Sequence, residues 1–319
     1  WGDKPAYDKV TMRFITNDAA RVAALLSGAV DLIDLVPPAD LPRLLQDENI
    51  NVFETATVRL IYLGLNERDD APFITDLDGK PLAKNPLQDG RVRNAISMMI
   101  DRQGLVERVL FGSGEAASQI VPEGVFGFDA SIPVTPYDPA KAKELLAEAG
   151  YPDGFGITIH GSNDRFLLDG DIAQALGQFL ARGGLKVNGV VTLPYSVYSK
   201  DAGAGAYGAF IFSYGNSTGE ASRGLMSVLH TFDKENDQGT LNRFRYSNPD
   251  FDAAIVAATQ EFDPDKRERM LGEAAKIAFG ESALVPLYFQ SLAWASTKDI
   301  DFVPRRDERT LAMEAKPAN

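Results

Sequence analysis

Between Phe155 and Val191 the chain runs through a strand-like segment, an amphipathic helix and a second strand-like segment in direct succession. No other feature limits the possible folds as much. Phe155 to His160 and Leu185 to Val191 are short and rich in β-formers, and Asp171 to Arg182 places apolar residues at helical spacing. A strand, a helix and a strand joined by short links make a β-α-β unit, which calls for a sheet covered by helices. Ala209 to Tyr214 supplies a further strand, apolar enough to lie in the middle of that sheet.

A second such unit is expected near the start. Val10 to Thr16 is rich in β-formers, Asn17 can cap a helix carrying Ala19, Val22, Ala23 and Leu26, Gly28 can end it, and Val30 to Leu35 reads as the returning strand. Pro37-Pro38 then breaks the chain. Ile50 to Thr55 and Thr57 to Asn66 read as two consecutive strands, and Glu67 to Gly90 as a loop. Helical spacing returns from Arg91 and again after the capping residue Asp101. Asp138-Pro139 opens the clearest helix, which Gly150 closes, and Asn248-Pro249 and Asp263-Pro264 open two more. Leu284 to Phe289 is a last strand, and the tail beyond Trp294 reads as charged and irregular. Two β-α-β patterns separated by helices predict a two-lobed α/β protein.

Composition removes several classes of function. The 319 residues carry 32 Lys and Arg against 45 Asp and Glu, a net charge of -13. That is the wrong sign for a nucleic-acid binder, whose affinity comes from clustered cations. Cysteine is absent and the only histidines are His160 and His230, so a disulfide scaffold or a Cys/His zinc site has nothing to build from. No metal and no cofactor is expected. No uninterrupted apolar run approaches the roughly 18 residues of a membrane-spanning helix.

Three short motifs look like chemistry. Gly203-Ala204-Gly205-Ala206-Tyr207-Gly208 has dinucleotide-binding spacing, but a strand follows it where a helix should, so a loop between elements is the better account. Gly215-Asn216-Ser217-Thr218-Gly219 matches a nucleophile elbow after a strand. A serine hydrolase using Ser217 would need a base, and the only later histidine, His230, falls at the end of the helix that would follow. Asp76-Leu77-Asp78-Gly79 resembles part of a calcium loop, but Lys80 and Pro81 occupy the next positions, and a surface turn fits better. Tyr214, Asn216, Ser217 and Glu220 sit where α/β proteins place ligands, in a glycine-flanked loop leaving a central strand. A self-satisfied turn explains them as well.

The order of segments resembles a family, the larger solute-binding proteins of bacterial ABC importers, which include dipeptide, oligopeptide and nickel-binding proteins. Six stretches carry the likeness: Trp1-Gly2-Asp3-Lys4-Pro5, Arg21 to Asp34, Arg91 to Asp101, Tyr137 to Gly150, Asn163-Asp164-Arg165, and Arg245 to Asp252. The resemblance implies a periplasmic binding protein-like α/β fold of class II, cluster C, with two lobes of mixed sheets flanked by helices. Residues 1–56 and 292–319 would belong to the first lobe, its N-terminal part missing, and 57–291 would form the second. It also implies that Trp1 is an internal position of a longer, periplasmic protein.

The same resemblance implies a monomer that encloses a peptide or peptide-like solute by hinged closure and hands it to the permease subunits without breaking a bond. Arg165 aligns with the arginine that holds a peptide carboxylate in dipeptide binders. Tyr214 falls where those proteins carry a Trp, and Ser217 where an Asp holds the peptide's amino group, so either Glu220 substitutes or the solute has no ammonium there. Asn66, at the end of the second strand, joins the candidate ligand-binding residues. An oligosaccharide or opine-type solute is the other reading on this fold, with Tyr62, Phe166, Tyr214 and Tyr246 as stacking platforms.

Overall fold

A computed structural model describes residues 4–318. The Trp1-Gly2-Asp3 part of the first matching stretch lies outside the described residues. Ten strands are named in chain order: β1 (Leu32–Ile33), β2 (Ile50–Leu65), β3 (Ile74–Thr75), β4 (Gly114–Ala116), β5 (Gly156–Ser162), β6 (Lys186–Leu193), β7 (Ala209–Gly215), β8 (Val285–Thr297), β9 (Ile300–Phe302) and β10 (Ala315–Pro317). Eight of them form one mixed sheet in the order β1-β8-β2-β7-β5-β3, with β4 also on β8 and β6 also on β5. β9 and β10 pair by themselves.

The β-α-β unit read from the sequence is present. β5 and β6 are parallel, with residues 169–183 forming the helix between them, and β7 is parallel to β5 on its other side. Strand alternation then splits the core into two layers. Ile61, Leu63, Leu65, Ile157, Ile159 and Ile211 face the helix 169–183 and its neighbours. Leu60, Tyr62, Phe210, Phe212 and Tyr214 face a second layer that includes Tyr198, Phe251 and Leu271. Each large apolar side chain removed from water in this way contributes about 1.5–3 kcal/mol. A separate, smaller cluster joins Val22, Leu25, Leu41, Leu44 and Ile50 to Ala293 and Ala295. β2 and β8 are long enough to run through both regions.

Helix starts follow local chemistry closely. Asn17 accepts from the Ala20 N–H at 2.9 Å, Asp138 from Lys141 at 2.9 Å, Asn248 from Asp250 at 2.9 Å and Asp263 from Lys266 at 2.8 Å. Each capping oxygen satisfies one of the first N–H groups that have no partner inside the helix.

The strands near the N-terminus depart from expectation. Val10 to Thr16 is not a strand: Phe14 is 90% exposed, and β-propensity without a partner strand yields no ladder. The segment expected over Val30 to Leu35 shrinks to Leu32–Ile33 and pairs antiparallel with β8, so the first β-α-β unit does not form. The two strands read over Ile50 to Asn66 are one, with a bulge where the break was expected, between Ala56 and Leu60. Nor is the tail irregular from Trp294 onward, since β8 continues to Thr297 and β9 and β10 follow.

Candidate functional site

Three strands end together. The C-terminal end of β7 lies beside the middle of β2, Arg59 opposite Gly215, and β5 and β6 deliver their C-terminal ends on the far side of β7. Loops leaving such strand ends are the usual place for a ligand in an α/β sheet.

Arg165 stands in the loop after β5. Its guanidinium lies 5.2 Å from the centre of the Tyr195 ring, within cation–π range, and among the described residues it forms no ion pair. An exposed cation in a chain of net charge -13, pre-oriented on an aromatic face, can receive an anion without first giving up a carboxylate. The loop is held from several sides. Asp164 accepts from the Tyr195 N–H at 2.7 Å, and the Asn163 N–H donates to Leu193 at 3.1 Å. Asp169, buried at the start of the following helix, accepts from the Ser162 hydroxyl at 2.7 Å and from the Arg165 N–H at 3.0 Å through one oxygen, and from the Gly170 N–H through the other. Leu168 enters that helix with a left-handed backbone, φ 56°.

The loop after β7 is largely self-satisfied. Asn216 is buried; its amide donates to the Glu220 carbonyl at 2.9 Å and its carbonyl accepts from the Thr218 N–H and hydroxyl, each at 3.1 Å. Ser217 is exposed. No hydrogen bond joins it to His230, whose Nδ1 donates to the Thr231 carbonyl at 2.8 Å and lies 3.7 Å from Asp252. Glu220 is not free to replace a missing anion, because Arg267 pairs with it at 2.7 Å and the Ser222 hydroxyl donates to the same oxygen.

The expected stacking platforms are core residues, which counts against the sugar-binding reading. Tyr62, Tyr214 and Tyr246 are each less than 10% exposed within the second layer, and Phe166 packs partly buried against the first. Burial pushes the Tyr62 hydroxyl up to about 12, with Arg243 nearby opposing it. The Tyr246 hydroxyl donates to Glu281 at 2.9 Å. Asn66 is fully buried and spends its side chain on the Tyr207 carbonyl at 2.9 Å and on Arg68 at 3.0 Å. Asp76 closes a surface turn by accepting from Asp78 and Lys80, and the glycine motif at 203–208 links a helix to β7. A cavity of about 320 Å³ under the 67–90 loop, lined by Pro72, Phe73, Ile74, Leu82 and Asn85, includes none of the candidate residues.

The model of the family described as "Bacterial extracellular solute-binding proteins, family 5 Middle" matches residues 1–236. The chain belongs to that family. Over 309 residues it is 29% identical to a glutathione-binding protein of Salmonella paratyphi A, a match that takes in 93% of this chain and 55% of the relative. Over 293 residues it is 27% identical to heme-binding protein A of Haemophilus influenzae, covering 90% and 49%. The chain spans about half the length of these curated relatives. Among solved structures, the periplasmic binding protein DppA of Helicobacter pylori in complex with a peptide superposes with a TM-score of 0.83 at 22% identity, covering all of this chain and 59% of that one. A dipeptide-binding protein of Pseudoalteromonas sp. SM9913 in complex with Met-Leu superposes at 0.77 and 23% identity, covering 99% and 60%. The fold is that of the family's periplasmic binding proteins.

Sequence reading missed Asp169, Tyr195 and Arg59. Asp169 looks like an ordinary acidic residue at a helix start, and its grip on Ser162 and the Arg165 N–H depends on how the loop folds back. Arg59 reads as the outward residue of an alternating strand.

Proposed function

We propose that this chain is the solute-binding part of an ABC importer and takes a peptide or peptide-like solute with a free carboxylate. The observation that carries the reading is Arg165, a cation without a carboxylate partner, fixed on Tyr195 in a loop that Asp169 and Asp164 anchor. Closing a pocket over a charged group removes it from water, so the solute's carboxylate needs a charge-assisted partner, worth about 1.5–3 kcal/mol. Relatives named for glutathione, and neighbours solved with a peptide and with Met-Leu, support the same solute class. Residues 1–56 with 292–319 form part of one lobe and 57–291 the other. The division of the core supports this, since Val22, Leu44, Ala293 and Ala295 pack apart from the two layers drawn from 57–291.

The protein works in the periplasm as a monomer, closes about β2 and β8, and delivers its solute unaltered to the permease. To test it, the intact protein is titrated with peptide and sugar libraries while its thermal stability is followed. A peptide at a hundred times its dissociation constant should add about 2.7 kcal/mol. Arg165→Gln should weaken a peptide with a free C-terminus by about tenfold or more and spare its amide. Stabilisation by sugars alone, or by nothing, overturns the reading.

A further inference from the structure

A cluster of polar side chains surrounds Arg59, in the middle of β2 opposite the end of β7. Its guanidinium is largely buried where β2 departs from the register of β8. Nε donates to both oxygens of Glu308, at 2.8 and 2.7 Å, Nη2 also donates to this carboxylate, and Nη1 donates to the Ser213 hydroxyl at 3.3 Å. The Thr57 hydroxyl and the Gln290 amide reach the same carboxylate at 3.3 and 3.5 Å. The donors therefore come from β2 and β8, with Ser213 of β7 steadying the arginine. β7 is the neighbour of the strand whose loop carries Arg165.

The acceptor is of a different kind. Glu308 lies in the irregular segment between β9 and β10 and holds a left-handed backbone, φ 68°, that a side-chain-bearing residue seldom adopts. Rigid strands thus present a carboxylate receptor, and a loop fills it. Gln290 is 4% exposed, and its Oε1 is buried without a hydrogen-bond partner, an acceptor that Glu308 cannot satisfy. A solute that brings both a carboxylate and an N–H would complete the pocket.

We propose that Arg59, Thr57 and Gln290 form a second carboxylate-receiving subsite for the solute, which Glu308 occupies until an acidic solute displaces it. The proposal rests on the solute-receptor reading and narrows it to solutes with two acidic groups, one for Arg165 and one for Arg59. Glu308 acts as a tethered competitor, whose effective concentration the incoming carboxylate must exceed.

The test compares the intact protein with Glu308→Gln and Arg59→Gln, using L-alanyl-L-glutamate and L-alanyl-L-glutamine as probes. Glu308→Gln should tighten L-alanyl-L-glutamate by roughly tenfold, and Arg59→Gln should remove any preference for it over L-alanyl-L-glutamine. If Glu308→Gln tightens both peptides equally, the side-chain carboxylate gains nothing from the vacated Arg59, and the two-acid subsite is refuted. If it tightens neither, the subsite is refuted while the receptor reading stands. A readout independent of peptide binding keeps the two apart: in Glu308→Gln the Arg59 Nε–H resonance should shift on titration with succinate. A resonance that never moves overturns the subsite whatever the peptides do.

Discussion

Replacing Asp169 should disable the Arg165 loop although Asp169 is itself buried. Its carboxylate accepts from the Ser162 hydroxyl, the Arg165 N–H and the Gly170 N–H, and Ser162 is fully buried. In Asp169→Ala the hydroxyl and the Arg165 N–H lose their acceptor together. A buried group left unpaired costs about 1–3 kcal/mol; the Ser162 hydroxyl bears that cost, while the Arg165 N–H, on an exposed residue, can turn to water, so the variant should lose about 1–3 kcal/mol of the roughly 5–15 kcal/mol that holds a typical domain. Asp169→Asn keeps the shape and one good acceptor oxygen, and should lose about half as much. Urea unfolding of both variants measures the first effect, and peptide titration at a temperature where each is folded measures the second. Peptide affinity should fall in step, because the Arg165 backbone is no longer held. An alanine variant within about 0.5 kcal/mol of the parent, with unchanged affinity, would refute the anchoring role.

Two further outcomes are expected. His160 is buried against Tyr207 and Phe73, its Nδ1 has no partner, and burial holds its pKa below the usual imidazole value. The unfolded chain takes up a proton below about pH 6.5 while the folded chain resists it, so stability should fall as pH drops through that range. His160→Phe should flatten the fall, and parallel pH profiles would contradict it. Ser217 should stay unmodified by a fluorophosphonate probe under conditions that label a serine hydrolase completely, and labelling at that residue would revive the catalytic alternative.

What was legible in the sequence was local. Helix starts at Asn17, Asp138, Asn248 and Asp263 depend on one oxygen and N–H groups two or three residues on, so spacing alone reveals them. The β-α-β unit around β5 was legible for the same reason, its links being short. Val10 to Thr16 failed because a strand needs a partner, and a single segment cannot announce one. The break expected near Ala56 was a bulge, visible only against β8. Within the site, Arg165 was reached through resemblance. Pairings such as Glu220 with Arg267 and Arg59 with Glu308, 47 and 249 residues apart, left no trace in local spacing, so Glu220 looked free and Arg59 looked idle.

The bulge in β2 also constrains how this chain can change in length. From Ala56 to Leu60 the strand advances four residues while β8 advances two, from Ser291 to Phe289. Side chains alternate faces residue by residue. Deleting one of Thr57, Val58 or Arg59 would exchange Ile61, Leu63 and Leu65 with Leu60 and Tyr62 across the sheet, whereas deleting two would keep every face and flatten the strand. A change of one residue here must therefore be absorbed by a further irregularity, as β8 already does with its extra residue between Tyr288 and Pro286, opposite Ile61 and Tyr62.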